Sequence, residues 1–343
     1  MADSRGGQRP RTWLVTGAAG FIGSHLVEAL LGQGEQVLGL DNLSTGRIDN
    51  LEHLLEKPGF RFARADVFDE AVLDRLASEA DVLVHLAAAV GVKLIVESPV
   101  HTIETNVRGT ENVLQAALRY GCRVLLASTS EVYGKGAQIP FREDDDVLLG
   151  PTCRSRWAYA ASKMIDEFLG LAYHSEYGLP LTIFRLFNTV GPRQTGAYGM
   201  VVPRFVEQAL RGEEITVYGD GNQKRVFCDV SDAVRGILAL AEHDGAVGGV
   251  FNIGGEEEIS MFELAERIRE VTASASSIIK VPYEEAYSPG FEDMQRRLPS
   301  TDRMRELTGW APNVSLSEIL ARVTEHERTR LADTASDGSH VDR

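Results

Sequence analysis

The chain has 343 residues, long enough to bury one large core or two coupled domains. At 43% hydrophobic and 25% charged it has the composition of an ordinary soluble protein, and no apolar run approaches the length of a membrane span. A formal net charge of −15 argues against a nucleic-acid binder, which needs a basic stripe, but leaves room for a small anionic ligand in a locally basic pocket.

The N-terminal stretch MADSRGGQRPR is basic without a following apolar segment, so it does not read as a secretory signal. Residues 1–11 and 332–343 are rich in Gly, Ser and charge and are expected to be disordered tails. Between them, WLVTG, QVLGLD, FRFARAD, DVLVHLAA and CRVLLAST read as short buried strands. SHLVEALLGQG and TNVRGTENVLQAALRYG between them carry a helical pattern. Alternation of this kind predicts an α/β fold, a Rossmann-type doubly wound parallel sheet, continuing through LTIFRLFN. Cys122, Cys153 and Cys228 have no paired spacing, so neither a disulfide framework nor a zinc site is expected, and the expected setting is the cytoplasm.

Beyond Asn188 the pattern loosens. GPRQTGAYGM reads as loop, VPRFVEQALRG as an amphipathic helix, and ITVYGDGNQKRVFCDV as a hairpin with a Gly-rich turn. SMFELAERIREVT reads as a helix capped by Ser260, with Glu263 three residues on, and Tyr283–Ser300 as a loop. The expected organisation is a Rossmann domain from 12–187 plus about 229–255, and a smaller, partly discontinuous α/β lobe from 188–228 plus 256–331. The binding cleft is expected between the two.

TGAAGFIGSHL places Gly17, Gly20 and Gly23 directly after the first strand and at the start of a helix. Glycines there permit a tight turn and bring backbone N–H groups and the positive helix terminus to a pyrophosphate. Asp41 ends the second strand, where an acid binds adenosine ribose hydroxyls and repels a 2′-phosphate, which favours NAD over NADP. Asp66 sits where an acid can hold the adenine amino group, and Leu86, Ala87 and Ala88 end another strand beneath the cofactor.

YAASK puts Tyr159 and Lys163 one helical turn apart on one face. A free tyrosine, with a pKa of about 10, is a poor base at neutral pH. The lysine ammonium and a positive nicotinamide ring would favour its phenolate, which can remove a hydroxyl proton while hydride leaves the same carbon. STSEVYG, after the strand RVLLA, adds Ser128, Thr129, Ser130 and an unexplained acid, Glu131, which must be solvated, paired or chemically employed.

These stretches, with DNLSTG, TNVRGT, FNTVGPRQ, YGDGNQKRVFCDV and NIGG, resemble the extended short-chain dehydrogenases/reductases that act on nucleotide sugars, from Thr12 to about Arg328. The resemblance extends the cofactor set to Phe21, Ile22, Asn42, Ser44, Gly46, Val67, Asn106 and Ser128. For the substrate it implies Asn188, Val202, Tyr218, Arg225 and Arg297, and it implies a homodimer through the helices bearing Thr105–Tyr120 and Tyr159–Tyr173. Arg225 suits a diphosphate through its bidentate fork.

Within this family, dehydratases carry an Asp–Glu pair where this chain has Ser130 and Glu131, so the acid that would expel a hydroxyl is missing. The Thr129-Ser130-Glu131 arrangement, GPTCRSRWAYAASK and FEDMQRRLPS are similar to UDP-glucuronate decarboxylases, which include the UDP-xylose synthases. This resemblance implies catalytic roles for Thr129, Ser130, Glu131, Tyr159, Lys163 and Arg297, no metal, and a UDP-4-keto-hexuronic acid intermediate. The product it implies is UDP-xylose, the UDP-4-keto-pentose, or both. The bland reading of Arg296 and Arg297 is a solvated charge pair. AVGVKLIVESPV departs from the pattern and looks epimerase-like, so a 4-epimerase of a UDP-hexose or UDP-uronate is the alternative. A non-catalytic NAD(H) sensor would be expected to lack Tyr159 or Lys163. The sequence leaves the protonation state of Glu131 open.

Overall fold

The computed structural model describes residues 9–91, 98–136, 138–196, 200–286 and 294–337. Its first half alternates strands and helices as the periodicity predicts. They are β1 (Thr12–Thr16), α1 (Phe21–Gly32), β2 (Gln36–Asp41), β3 (Phe60–Arg64), α2 (Glu70–Ala77) and β4 (Val82–His85). There follow α3 (Pro99–Tyr120), β5 (Arg123–Thr129), α4 (Ala158–Tyr177) and β6 (Leu181–Leu186). After an excursion into a smaller lobe, β7 (Val250–Ile253) completes a seven-stranded sheet among the described residues, in the order β7-β6-β5-β4-β1-β2-β3. Every pairing in it is parallel.

Both faces of this sheet are covered, which is why its inner strands are largely apolar, whereas β3 at the edge carries exposed Arg61 and Arg64. Trp13 and Val15 of β1 point into the core beneath α1, while Leu14 between them points into the core beneath α2 and α3. The same division by alternate residues separates Leu125 from Val124 and Leu126, and Phe184 from Ile183.

The smaller lobe is built on α5 (Val201–Arg211), α7 (Met261–Thr272) and α8 (Leu316–Asp337), packed around Phe205, Leu264, Ile268 and Leu320. Between α5 and α7, α6 (Val230–Glu242) returns to the large domain and packs with α1. α7 begins with the expected capping box, in which Ser260 Oγ accepts from the Glu263 N–H at 3.2 Å and Glu263 Oε2 accepts from the Ser260 N–H at 3.0 Å.

Four expectations are corrected. Tyr283–Ser300, read as a loop, holds a short helix at Tyr283–Ala286 and a strand at Arg296–Arg297, the latter because it pairs with Lys224–Arg225. The hairpin over residues 215–229 does not form, because Ile215–Tyr218 pairs in parallel with Ile278–Val281 while Lys224–Val226 lies in another sheet, between Glu258–Ser260 and Arg296–Arg297. Gly219 and Gly221, with φ of 73° and 78°, do turn the chain. But glycines specify a reversal, and the partner of each flanking strand is chosen by the rest of the lobe. Next, Met304 and Trp310, assigned to the smaller lobe, pack in the core of the large domain, where Trp310 Nε1 donates to Asp232 O at 3.0 Å. Finally, the tails are shorter than expected. Arg9 pairs with Asp81 and Arg11 with Glu35, and α8 continues to Asp337. Residues 1–8 and 338–343 lie outside the described residues.

The capping box makes one stability prediction. Ser260→Ala is expected to cost about 1 kcal/mol, read as a lower urea midpoint at unchanged m-value.

Candidate active site

The predicted cofactor residues follow the ends of successive strands along one edge of the sheet. Gly17, after β1, has a φ of 72°, a conformation that favours glycine, and a Cβ there would meet Ala87 N at 2.8 Å. A Cβ on Gly23 would fall 2.0 Å from Gly17 O, so α1 packs directly on the turn, with Gly20 as its N-cap and Phe21 and Ile22 in its first turn. Asp41, buried at the end of β2, accepts from the Ala19 N–H at 2.9 Å and the Leu43 N–H at 2.8 Å. Burial raises its pKa and the backbone donors oppose the rise.

Gly46 approaches the same acid, since a Cβ on it would lie 2.9 Å from Asp41 Oδ2. Exposed Asn42 donates to Asp66 at 2.7 Å and accepts from the Ser44 N–H at 2.8 Å, joining the loops after β2 and β3. Val67 lies in the core beneath them. Leu86, Ala87 and Ala88, half-buried, follow β4. Asn106 and Ser128 are buried in internal hydrogen bonds. Asn106 accepts from the Ala89 N–H at 2.8 Å and donates to Ser162 at 3.0 Å, and Ser128 donates to Glu167. A turn with no room for side chains, a helix N-terminus over it and an acid closing β2 together fit a dinucleotide.

β5 ends at Thr129, and the turn Ser130–Tyr133 follows, with Ser130 buried. Thr129 Oγ1 accepts from the Glu131 N–H at 3.2 Å and is also hydrogen-bonded to the phenol of Tyr159 on α4. The Glu131 side chain is 12% exposed. Its Oε2 takes the Arg156 guanidinium and its Oε1 faces Arg297 Nη2 at 3.5 Å. Burial pushes the Glu131 pKa up, but Arg156, Arg297 and, beyond them, Arg225 prevail and bring it down to about 2. The carboxyl group is therefore ionised at neutral pH.

Arg297 stands in register with Arg225 on adjacent strands, and both are buried. The reading of Arg296 and Arg297 as a solvated pair holds for one of them. Arg296 is half-exposed and pairs with Glu258 at 2.8 Å, while Arg297 turns inward.

Tyr159 and Lys163 share the buried face of α4. The expectation that Lys163 favours the phenolate needs revision for the protein alone. Lys163 Nζ is bound to Asp166 at 2.7 Å in a buried pair. The Tyr159 phenol is pushed up, first by burial and next by the charge of Glu131, against which Thr129 and Arg156 act.

One cavity receives Glu131, Tyr159 and the predicted substrate residues Asn188, Val202, Tyr218, Arg225 and Arg297. Asn188, with φ of 37°, donates to Val226 O at 2.9 Å. Arg156 and Arg204 also line this cavity, and the Arg204 guanidinium lies 4.1 Å from the centre of the Tyr218 ring. Among the described residues, four arginines against one carboxylate make it locally basic on an acidic protein, as the charge argument allowed. Val90 and Gly91 line it too, and residues 92–97 of the epimerase-like stretch lie outside the described residues.

Sequence reasoning missed Arg156 and Asp166. Arg156 belongs to the turn Ser155–Trp157, where no helical spacing marks it, and its partner is 25 residues earlier. Asp166 was findable, being one helical turn from Lys163 on the same face.

A dinucleotide cradle, a Tyr–Lys pair one turn apart and an adjoining cavity define the extended class of short-chain dehydrogenases/reductases. The chain belongs to the NAD dependent epimerase/dehydratase family, whose sequence model matches residues 13–254. It is 45% identical over 308 residues to UDP-N-acetyl-alpha-D-glucosaminuronate decarboxylase of Bacillus cytotoxicus, covering 90% of this chain and 94% of that one. It is 41% identical to UDP-glucuronic acid decarboxylase 1 of Arabidopsis thaliana, covering 93% and 70% respectively. Among solved structures it superposes on UDP-glucuronic acid 4-epimerase from Bacillus cereus, in complex with UDP-glucuronic acid and NAD, with a TM-score of 0.84 and 29% identity, covering 93% and 99%. The cofactor is NAD.

Gly23→Ala is expected to abolish measurable NAD binding in a calorimetric titration while the far-ultraviolet circular dichroism stays that of the wild type, because the added methyl strikes Gly17 O within the cradle.

Proposed function

We propose that this protein decarboxylates UDP-glucuronate through a UDP-4-keto-hexuronic acid intermediate. The observation that carries the reading is Glu131, held as a carboxylate by Arg156 and Arg297 beside Thr129 and Tyr159. An epimerase, which only oxidises, rotates and reduces, has no task for that acid. The curated relatives named as decarboxylases point the same way.

NAD, when bound, supplies the hydride acceptor and a positively charged ring. Gly17, Gly20, Gly23 and Asp41 would hold it, with Asn42 and Asp66 at the neighbouring loops. Arg225 and Asn188 hold the diphosphate end of the substrate, and Val202 and Tyr218 line the nucleotide side. Thr129 steadies the sugar oxygen while Tyr159 takes the proton from the 4-hydroxyl. Lys163 lies one turn along the same helix.

Oxidation at carbon 4 makes the uronate a β-keto acid. Its carbon–carboxylate bond breaks, carbon dioxide leaves, and the electron pair passes into the ketone, where Tyr159 stabilises the enolate. Arg297, directly or through a water it positions, protonates carbon 5. Reduction of carbon 4 by the hydride that bound NAD would hold would then give UDP-xylose, while earlier release of the UDP-4-keto-pentose would leave the cofactor reduced. The fixed charge of Glu131 disfavours a second carboxylate in the ground state and not the neutral carbon dioxide that replaces it. That is differential stabilisation of the transition state.

The 45% identity to a decarboxylase of UDP-N-acetylglucosaminuronate supports a second substrate, since a 2-acetamido group lies outside the carbons that react. Purified protein is therefore to be incubated with each uronate. Carbon dioxide release is expected from at least one, and inversion at carbon 4 with the carboxylate intact would replace this reading with an epimerase. Glu131→Gln is expected to lower the decarboxylation rate on the order of a hundredfold or more while calorimetry shows unchanged NAD affinity.

We also assign the protein to the cytoplasm, on its three free cysteines, and infer a homodimer through α3 and α4. Val100 and Phe168, 68% and 67% exposed, with Ile103 and Ile165 one turn from each, supply an apolar face there. Phe168→Glu is expected to convert dimer to monomer in light scattering.

A further inference from the structure

Arg156 lines the pocket, and the decarboxylase reading uses it only as one of two arginines beside Glu131. It is 4% exposed, lies three residues before Tyr159, and binds Glu131 through Nη1. The pair ties the turn after β5 to the helix that carries Tyr159 and Lys163. The charged and titratable groups that act on Glu131 are Arg156 from this turn, Arg297 and Arg225 from two adjacent strands, and Tyr159 from α4.

Resting on the decarboxylase reading, we propose that Arg156 is a positioning residue for both halves of the reaction: it holds Glu131 as a carboxylate against the cavity wall and screens that charge from Tyr159. Two arginines face the acid, and they differ in grip. Arg297 stands 3.5 Å away, whereas Arg156 is in closer contact. An arginine that closed on the sugar carboxylate would stabilise the ground state and retard its departure, so an arginine committed to Glu131 favours the reaction. Arg156 also offsets the effect of Glu131 on Tyr159, since Glu131 raises the proton affinity of the phenol and Arg156 lowers it. A proton must leave that phenol's environment and return in each turnover, so the screening bears on the oxidation as well.

The test compares wild type, Arg156→Gln, Arg156→Lys, Glu131→Gln and the double variant Arg156→Gln/Glu131→Gln. Because a depressed carboxylate pKa keeps the active ionised form until the pH falls through it, the wild type is expected to show no acid limb from Glu131 above pH 4. Arg156→Gln is expected to raise that limb by about 1–3 pH units, with kcat down roughly 10–100-fold and KM within about threefold. Arg156→Lys is expected to restore the limb without the full rate. In the Glu131→Gln background, removing Arg156 is expected to cost less than about threefold, because residues acting through one another are non-additive.

Equal losses in both backgrounds, or an unmoved acid limb in Arg156→Gln, would overturn the proposal. Infrared difference spectra of the resting protein against Glu131→Gln read the same carboxyl group without turnover. In a pH titration the protonated-carboxyl band is expected to appear about 1–3 pH units higher in Arg156→Gln than in wild type, and coincident titrations of the two would count against the proposal. If the wild type releases no carbon dioxide from either uronate, the decarboxylase reading fails, and this spectrum still decides the role of Arg156.

Discussion

A carboxylate at the mouth of an apolar strand has to be met by positive charge, and in this protein Glu131 is met from two sides. Arg156 comes from the turn before α4 and Arg297 from the arm of the smaller lobe. Three segments far apart in the chain therefore converge on one acid, and the rest of the structure holds them there. The arm that bears Arg297 is bound to the large domain at Phe141, whose N–H donates to Leu298 O and whose carbonyl accepts from the Ser300 N–H, each at 2.8 Å. Asn252 of β7 closes the arrangement by donating to Phe141 O and Ser300 O while accepting from the Tyr133 hydroxyl at 2.8 Å. Tyr133 belongs to the turn that carries Glu131, so the acid and its more distant arginine are anchored through one buried amide.

A second layer sets Tyr159 over Thr129. Arg185 of β6 grips Glu167 of α4 with two hydrogen bonds of 2.9 and 2.6 Å, and Ser128 of β5 donates to the same carboxylate. A bidentate pair of this kind fixes direction as well as distance, so α4 cannot slide along β5 without breaking it. Removing one partner of a buried pair leaves an unpaired charge and costs about 3–5 kcal/mol. Deeper still, burial and the charge of Lys163 lower the His85 pKa to about 3, so the ring is neutral and joins Thr16 of β1 to Thr110 of α3.

Much of the fold was legible because its signals are local. Strands buried on both faces need largely apolar runs, and the first six were read from short stretches of that kind. The capping box at Ser260 was read from two residues three positions apart. The failures share one cause. Ile215–Tyr218 and Lys224–Val226 looked like two arms of a hairpin because turn residues lie between them, yet each pairs with a strand more than thirty residues further on. Trp310 returns to the large domain for a cavity-filling contact and a hydrogen bond to Asp232 O that nothing near it in sequence announces.

The candidate site divides in the same way. The glycine turn, Asp41 at the end of β2 and the spacing of Tyr159 and Lys163 were determined by sequence alone, because each depends on backbone conformation or on a single helical turn. The ionised state of Glu131, the inward turn of Arg297 beside an outward Arg296, the presence of Arg156 and the pairing of Lys163 with Asp166 were decided by tertiary structure. The charge on a buried group depends on which opposite charges surround it, and those around Glu131 come from strands and turns up to 166 residues away along the chain, where only folding brings them within reach.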